Sequence, residues 1–285
     1  MKPIHLVLAL VIIASLVVVV PGCVGFSNSR TRYSSSVMQY LYPKQTVVET
    51  PTMPHLSLPL KVGIAFVPET EKEQYRSWST LNEVERFALL KKVTAQFQEL
   101  PFVQSIEIIP SAYLQPGGGF SNLDQLQTMY GVDVMVLVAY DQVQNSDQGW
   151  LSLTYLTIVG SYIIEAEKNE TNTMMDATVY DIKSRSLLFR APGVSQVKAH
   201  STIVNLSEEL RADCKTGFDR ASEDLVKNLQ VQLTEFRLKV KSMPQAYAVE
   251  HKPGYNASSS LNGWLTVLVV ALGGLALWRT RKRSA

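Results

Sequence analysis

The strongest candidate nucleophiles in this chain are the thiols of Cys23 and Cys214. A cysteine reacts as its thiolate, so the surroundings of each thiol decide what chemistry it can perform. Cys214 lies on an apolar helical stripe between Arg211 and Lys215, and these cations could lower the pKa of its thiol. The stripe position nevertheless favours a small buried core residue. Cys23 instead follows an apolar run and a small residue, where a thiol has a different use.

Other residue combinations that support catalysis or metal binding do not occur in the sequence. The histidines do not share a helix face, and neither a His-Glu-x-x-His nor a Cys-x-x-Cys spacing is present, so no metal site is predicted. The glycine-rich stretch at 116–119 lacks the lysine and hydroxyl residue of a phosphate-binding loop and indicates a turn. We therefore predict no catalytic residues, no bound cofactor and no enzymatic activity.

Residues 1–22 have the layout of a secretory signal: the cation Lys2, an apolar run over 6–20, and a small residue before Cys23. Val20-Pro21-Gly22-Cys23 resembles a bacterial lipobox. The resemblance implies that Val20, Pro21 and Gly22 are recognised by the signal peptidase and that the Cys23 sulfur carries a covalent lipid. Membrane lipid and the lipoprotein-processing enzymes are the implied partners. An ordinary signal peptide followed by an incidental cysteine is the alternative.

The C-terminal end contains an uncharged apolar run over residues 264–278, bounded by tryptophans and followed by basic residues at 279–283. A membrane-spanning helix needs about 20 residues, with a lower limit of about 17, so this predicted transmembrane helix is short. The tail resembles the sorting signal read by rhombosortases, which are rhomboid-type intramembrane proteases, and is similar to the GlyGly-CTERM type. The resemblance implies a rhombosortase partner and cleavage in a small-residue region comprising Ala257, Ser258, Ser259, Ser260, Gly263 and Trp264. A permanent tail anchor is the alternative.

Together the two ends, with the intervening segment 32–43, resemble the rhombotarget lipoproteins. Because Lys2 and the 279–283 cluster both favour the cytoplasm, the segment between them is predicted to be periplasmic in an inner-membrane precursor. A lipoprotein bound for the outer membrane or cell surface cannot leave while a helix still spans the inner membrane. Release of the tail is therefore expected.

The charge balance of the folded body differs from that of the whole chain. Five of the 27 cations lie in the two end segments, which leaves 22 basic residues against 25 acidic ones, a formal charge of −3. Such a body has no electrostatic footprint for nucleic acid, so no nucleic-acid partner is predicted.

Between the ends, the sequence predicts a lipidated tether with a short helical turn (23–59), one α/β domain (60–241), and a linker containing the cleavage region (242–263). A basic cytoplasmic tail (279–285) follows the span. The turn, within 34–43, has too many apolar residues to stay solvated and is expected to dock on the domain or on a partner.

Within the domain, alternation predicts a strand over 60–67, and a capping box beginning at Thr80 predicts a helix that ends at Pro101 with Val84 and Phe87 on its apolar face. Further strands are expected at 105–109 and 132–140, with a helix from Ser121 to Gly131 between them. A polar loop at 141–149 then leads to strands at 150–165, 171–182 and 187–198, with turns at 168–170 and 183–185. A long amphipathic helix over 201–241 completes the order β-α-β-α-β-β-β-β-α. This order predicts a mixed α/β fold, a mixed sheet covered by helices.

The stretches 62–68, 130–138 and 177–183 are similar to periplasmic domains of envelope lipoproteins such as the curli secretion channel, and to the N-terminal domain of the translocation protein TolB. The resemblance implies an assembly or interaction module with an unknown envelope protein partner. Two other hypotheses stay open: a permanently double-anchored inner-membrane protein with a ligand-binding or sensing domain, and an undetected enzyme built around Cys214.

Overall fold

The computed structural model describes residues 29–43, 50–69, 81–148, 167–201 and 205–255. Within these residues the strands are β1 (Ser29–Ser34), β2 (His55–Leu58), β3 (Leu60–Phe66), β4 (Val103–Ile108), β5 (Val134–Gln148), β6 (Glu167–Asp181), β7 (Ser186–Ser201) and β8 (Ala248–His251). The α-helices are α1 (Val37–Leu41), α2 (Glu83–Thr94), α3 (Gly119–Tyr130) and α4 (Leu206–Ser242). The predicted mixed α/β fold is confirmed.

Six of these strands form one mixed sheet in the order β4-β3-β5-β6-β7, with β1 also paired to β5. Strands β4, β3 and β5 run parallel, whereas β5, β6 and β7 are antiparallel neighbours. Strand β5 pairs with β3 over its first residues and then with β1, so one long strand supports two short ones in succession. A separate parallel pair joins β2 to β8.

Helices cover both faces of the sheet. Helices α1 and α3 pack on one face against alternate residues of β3 and β5, which include Ala65, Met135 and Leu137. Helices α2 and α4 pack on the other face, against Ile64, Phe66 and Val138. Strands β3 and β5 are therefore buried on both sides, which is why they read as nearly continuous apolar runs.

The N-terminal segment differs from the predicted tether. Strand β1 pairs antiparallel with β5 from Ser29 to Ser34, and Ser35 N–H then donates to the Tyr140 carbonyl oxygen at 2.8 Å. The expected helical turn forms as α1, and it docks on the domain with Val37, Tyr40 and Leu41 buried. The folded body therefore begins upstream of residue 60. It also extends past 241, because β8 pairs with β2 inside the predicted linker.

The polar loop predicted at 141–149 is wrong, because β5 continues as a strand to Gln148 and pairs with β6 throughout. The predicted turn at 168–170 is wrong for the same reason, since those residues lie in β6. Polar side chains of β5 alternate inward here and bond to helix α4: Gln142 Nε2 donates to the Cys214 carbonyl at 3.2 Å, and Gln144 Nε2 to the Leu210 carbonyl at 2.7 Å. The predicted strand at 150–165 lies outside the described residues.

Helix α2 also departs from its prediction. Its N-cap is Asn82, which forms a capping box with Glu85, while Thr80 lies outside the described residues. The helix ends at Thr94, and its buried face consists of Leu89, Leu90, Val93 and Thr94. Val84 and Phe87 are exposed, so the apolar face was wrongly assigned. The turn at 183–185 is confirmed, as is the end of α3 at Gly131, whose φ of 66° suits glycine.

Candidate functional site

None of the processing residues predicted from the sequence is described by the structure. Val20, Pro21, Gly22 and Cys23 precede the described residues, and Ala257, Ser258, Ser259, Ser260, Gly263 and Trp264 follow them. The apolar run of the predicted signal and the predicted transmembrane helix also lie outside the described residues. None of the helices that the structure describes is both long and apolar enough to cross a membrane. The candidate site in the folded body is a different one.

An apolar cavity of about 520 Å³ lies between the sheet and the last third of helix α4. Its floor is the α4-facing side of the sheet, where Val62 and Ile64 of β3 alternate with residues directed to the other face. Val134 and Val136 of β5 continue this floor. Although they belong to central strands, Val62 and Val136 are only half-buried, because the helix layer does not close over them.

The last turns of α4 form the roof of the cavity. Leu233, Phe236 and Val240 recur at helical spacing on the face that borders it. The Phe236 ring lies 5.3 Å from that of Phe189 and 5.5 Å from that of Tyr247, between centroids. These aromatic contacts hold the helix end above the sheet without filling the space beneath it.

The side wall is the segment that follows α2, where Phe97, Leu100 and Phe102 replace a continued helix. The predicted helix ended at Pro101, and its shortening to Thr94 makes these residues available to the cavity. Strands β2 and β8 close the remaining side with Leu56, Leu58 and Val249.

The polar lining of the cavity is small and basic. Of 26 lining residues, 22 have purely apolar side chains; the others are Thr94, Arg237, Lys241 and Tyr255. Arg237 and Lys241 are four residues apart on α4 and therefore neighbours on one helix face. The Arg237 guanidinium lies 5.2 Å from the centroid of the Phe102 ring, a cation–π geometry at the wall. No lining residue carries a carboxylate, imidazole or thiol.

Chemically, this arrangement suits binding of a mostly apolar molecule. Small-molecule sites typically occupy about 300–1,000 Å³ and combine an apolar lining with a few polar groups that fix orientation.

Cys214 lies elsewhere, on the closely packed part of α4, and only 5% of it is exposed. Burial raises the pKa of its thiol to about 12. The thiol donates to Gln142 Oε1 at 2.6 Å, which partly offsets that rise. The core position predicted for Cys214 is confirmed, and the alternative in which Arg211 and Lys215 activate it is not supported.

The sequence indicated part of the cavity without revealing it. The sequence predicted the amphipathic helix that forms α4, but an apolar stripe does not show whether the opposing surface closes on it. The usable signal was the pair Arg237 and Lys241 beside that stripe. Among the residues that the structure describes, no group of three or more His, Cys, Asp or Glu side chains is arranged to hold a metal ion.

No family model matches the chain, and no curated protein matches it. Similar solved structures include a neuraminyllactose-binding hemagglutinin homolog from Helicobacter pylori, with 11% identity, a TM-score of 0.37, and coverage of 72% of this chain and 98% of that one. A PelC variant from Paraburkholderia phytofirmans, a dodecamer, has 9% identity, a TM-score of 0.30 and coverage of 71% and 96%. Lipoprotein GNA1162 from Neisseria meningitidis has 12% identity, a TM-score of 0.23 and coverage of 53% and 94%. These values are too low to indicate a shared function or assembly.

Proposed function

We propose that this chain is an exported bacterial lipoprotein of the cell envelope, of the rhombotarget type, whose body binds other molecules rather than converting them. The observation that carries the proposal is the combination at the two ends: a lipobox-like Val20-Pro21-Gly22-Cys23 and a short basic-ended apolar tail. Cys23 is the attachment site of the covalent lipid. The body acts as an assembly or interaction module with an envelope protein partner.

The position of β1 gives this proposal a spatial consequence. Ser29, its first residue, is six residues from Cys23. At about 3.3–3.6 Å per residue, these span roughly 20 Å when fully extended. A lipid on Cys23 therefore holds the sheet close to the membrane surface, rather than at the end of a long tether.

Processing at the other end is compatible with the folded body. Strand β8 ends at His251, and the Lys252 N–H donates to the Leu58 carbonyl at 2.7 Å. Cleavage by a rhombosortase between Ala257 and Gly263 would fall downstream of these contacts and leave the described strand pairs intact. The precursor is held in the inner membrane with its body in the periplasm, and the mature form is lipid-anchored at the outer membrane or cell surface.

Metabolic labelling and intact mass test the two processing steps separately. Wild-type protein should incorporate radioactive palmitate, whereas Cys23→Ser should not. The mass of the mature protein should lack residues 279–283. Palmitate incorporation that persists in Cys23→Ser would refute lipidation at that residue, and a mass that includes the basic cluster would refute release.

A second function is favoured by the apolar cavity: a permanently double-anchored inner-membrane protein whose periplasmic body binds a ligand or senses one. Separation of inner and outer membranes distinguishes the two, because a permanent span restricts the protein to the inner membrane. Recovery in the outer-membrane fraction would exclude this second function.

A further inference from the structure

We propose that the cavity beneath the end of α4 binds one long-chain fatty acid, with its hydrocarbon chain inside and its carboxylate at Arg237 and Lys241. This assignment goes beyond the processing proposed above and does not depend on lipidation of Cys23. It follows from the chemistry of the lining, the volume of the cavity and the charges at its edge.

The lining requires a ligand that is mostly hydrocarbon. The half-buried Val62, Val136 and Phe236 border empty space and leave apolar surface uncovered inside the fold. Covering such surface is favourable by about 25 cal/mol per Å². A polar ligand would instead lose its hydration without gaining hydrogen bonds from these walls.

The volume selects one chain. A cavity of about 520 Å³ lies within the roughly 300–1,000 Å³ range of sites that enclose one small molecule. One long acyl chain is a ligand of this size class.

The charges select the head group. Arg237 and Lys241 both border the cavity and are exposed, so a head group beside them remains solvated. Neither forms an ion pair among the described residues. A carboxylate can accept hydrogen bonds from both side chains, and the forked guanidinium of Arg237 suits bidentate contact. These two cations stand out on a body whose formal charge is negative.

The acyl chains proposed on Cys23 are the main competing occupant, and the register of β1 disfavours them. Ser29 pairs with Ser146, twelve residues along β5 from Val134, the first cavity residue of that strand. At about 3.3 Å per residue this is roughly 40 Å. The connection from Cys23 to Ser29 reaches only about 20 Å, so the lipid would start outside the cavity, far from Arg237 and Lys241.

The test uses the full chain in lipid nanodiscs and a palmitate analogue that carries a photoreactive diazirine near its methyl end. Irradiation should label residues that line the cavity, identified by mass spectrometry of peptides. Leu233→Trp fills the cavity and should reduce labelling at least about fivefold. Val231→Trp, two residues away on an exposed part of the same helix, is the matched control and should label as wild type does.

The head group is tested by competition. The double variant Arg237→Gln, Lys241→Gln should bind palmitate at least about tenfold more weakly, a loss of about 1.4 kcal/mol, and hexadecanol unchanged, because the alcohol carries no charge. The matched control Lys227→Gln, Lys239→Gln removes the same charge outside the lining and should bind both as wild type does.

Three results would overturn the assignment. The first is labelling that Leu233→Trp leaves unchanged while the variant remains folded by circular dichroism. The second is hexadecanol displacing the label as well as palmitate does in wild type. The third is a gain of labelling in Cys23→Ser, which would mean that the chain's own lipid occupies the cavity.

Discussion

Helix α4 covers one sheet face along its whole length, but its two parts meet that face differently. From Asp213 to Leu229 the helix is packed directly on β6 and β7, with Cys214, Phe218, Ala221 and Leu225 almost fully buried. From Leu233 to Lys241 the same helix leaves a cavity over β3 and β5. We call these the closed part and the open part of α4.

The difference depends on residue size and hydrogen bonding at the contact. In the closed part, a Cβ atom added to Gly193 of β7 would lie 2.6 Å from the Leu225 backbone nitrogen, so the strand and helix backbones are in close contact. Ser195 Oγ donates to the Gly217 carbonyl at 2.7 Å, and Asp224 Oδ2 accepts from the Val194 N–H at 3.0 Å. In the open part, Leu233 and Phe236 border the cavity instead of a strand backbone. The closed part therefore stabilises the fold, and the open part is available for a ligand.

The largest expected effect concerns access to Cys214 in the closed part. Since its pKa is raised to about 12, its thiolate fraction at pH 8 is about a thousandfold below that of an ordinary cysteine of pKa about 8.5. In a Cys23→Ser background, where Cys214 is the remaining thiol, alkylation of the native protein should be slower than in urea by at least that factor. Rapid alkylation of the native state would contradict the closed packing.

The same shift predicts the pH dependence of stability. The neutral thiol is favoured in the folded state, so the unfolded state loses this proton first as pH rises. The stabilisation that the neutral Cys214 thiol contributes to the folded state is therefore complete below about pH 9, and it is lost as pH rises from 9 towards 12. Urea unfolding of Cys214→Ser should lack this alkaline component, and an identical pH profile for both proteins would contradict it.

Truncation of one phenylalanine in each part compares the two parts directly. Phe218 is 2% exposed and its ring lies 5.3 Å from that of Tyr140, so Phe218→Ala should lower the free energy of unfolding by about 3–5 kcal/mol. Phe236→Ala should cost less than about 2 kcal/mol, because Phe236 already borders empty space and the transfer contribution is smaller. Urea unfolding measures both, and equal losses would show that the open part is also closely packed in solution.

The buried amide of Gln142 should matter less than Phe218 but more than a surface amide. Its Nε2 donates to Thr173 Oγ1 at 2.7 Å, and its Oε1 accepts from Cys214. Gln142→Leu leaves these partners unsatisfied and should destabilise by about 1–3 kcal/mol. The control is Gln196→Leu on the exposed side of β7, expected within about 0.5 kcal/mol of wild type in the same urea titration. Equal effects would mean that water replaces the Gln142 contacts.

The closed part also explains which elements could be predicted from the sequence. The apolar stripe of α4 and the strand β3 follow directly from residues that face a core, and both were predicted. The prediction ended strand β5 at Tyr140 because its continuation alternates polar residues, such as Gln142 and Gln144, whose amides donate to the α4 backbone. The periodicity of a single sequence does not show that the α4 backbone lies opposite these side chains.

The apolar face of α2 was predicted wrongly and the cavity was not predicted, for different reasons. Val84 and Phe87 have the right spacing for a core face, but the tertiary contacts select Leu89, Leu90 and Val93 instead. The cavity is lined by residues from β2, β3, β4, β5, β6, β7, β8, α2 and α4, so no local pattern could reveal it. The processing residues, in contrast, are local in sequence, and their roles remain predictions.

The smallest expected effect comes from adding one methylene group to neighbouring positions of β5. Val138 is fully buried in the closely packed face, so Val138→Ile should cost about 1–3 kcal/mol by overpacking. Val136, two residues earlier on the same face, borders the cavity, so Val136→Ile should change the free energy of unfolding by no more than about 0.5 kcal/mol, because the added group enters empty space. The two substitutions are chemically identical and lie on one strand, so urea unfolding compares packing alone. A loss at Val136 as large as that at Val138 would mean that the cavity is closed in the free protein, and bound palmitate should then stabilise the fold less than its burial implies.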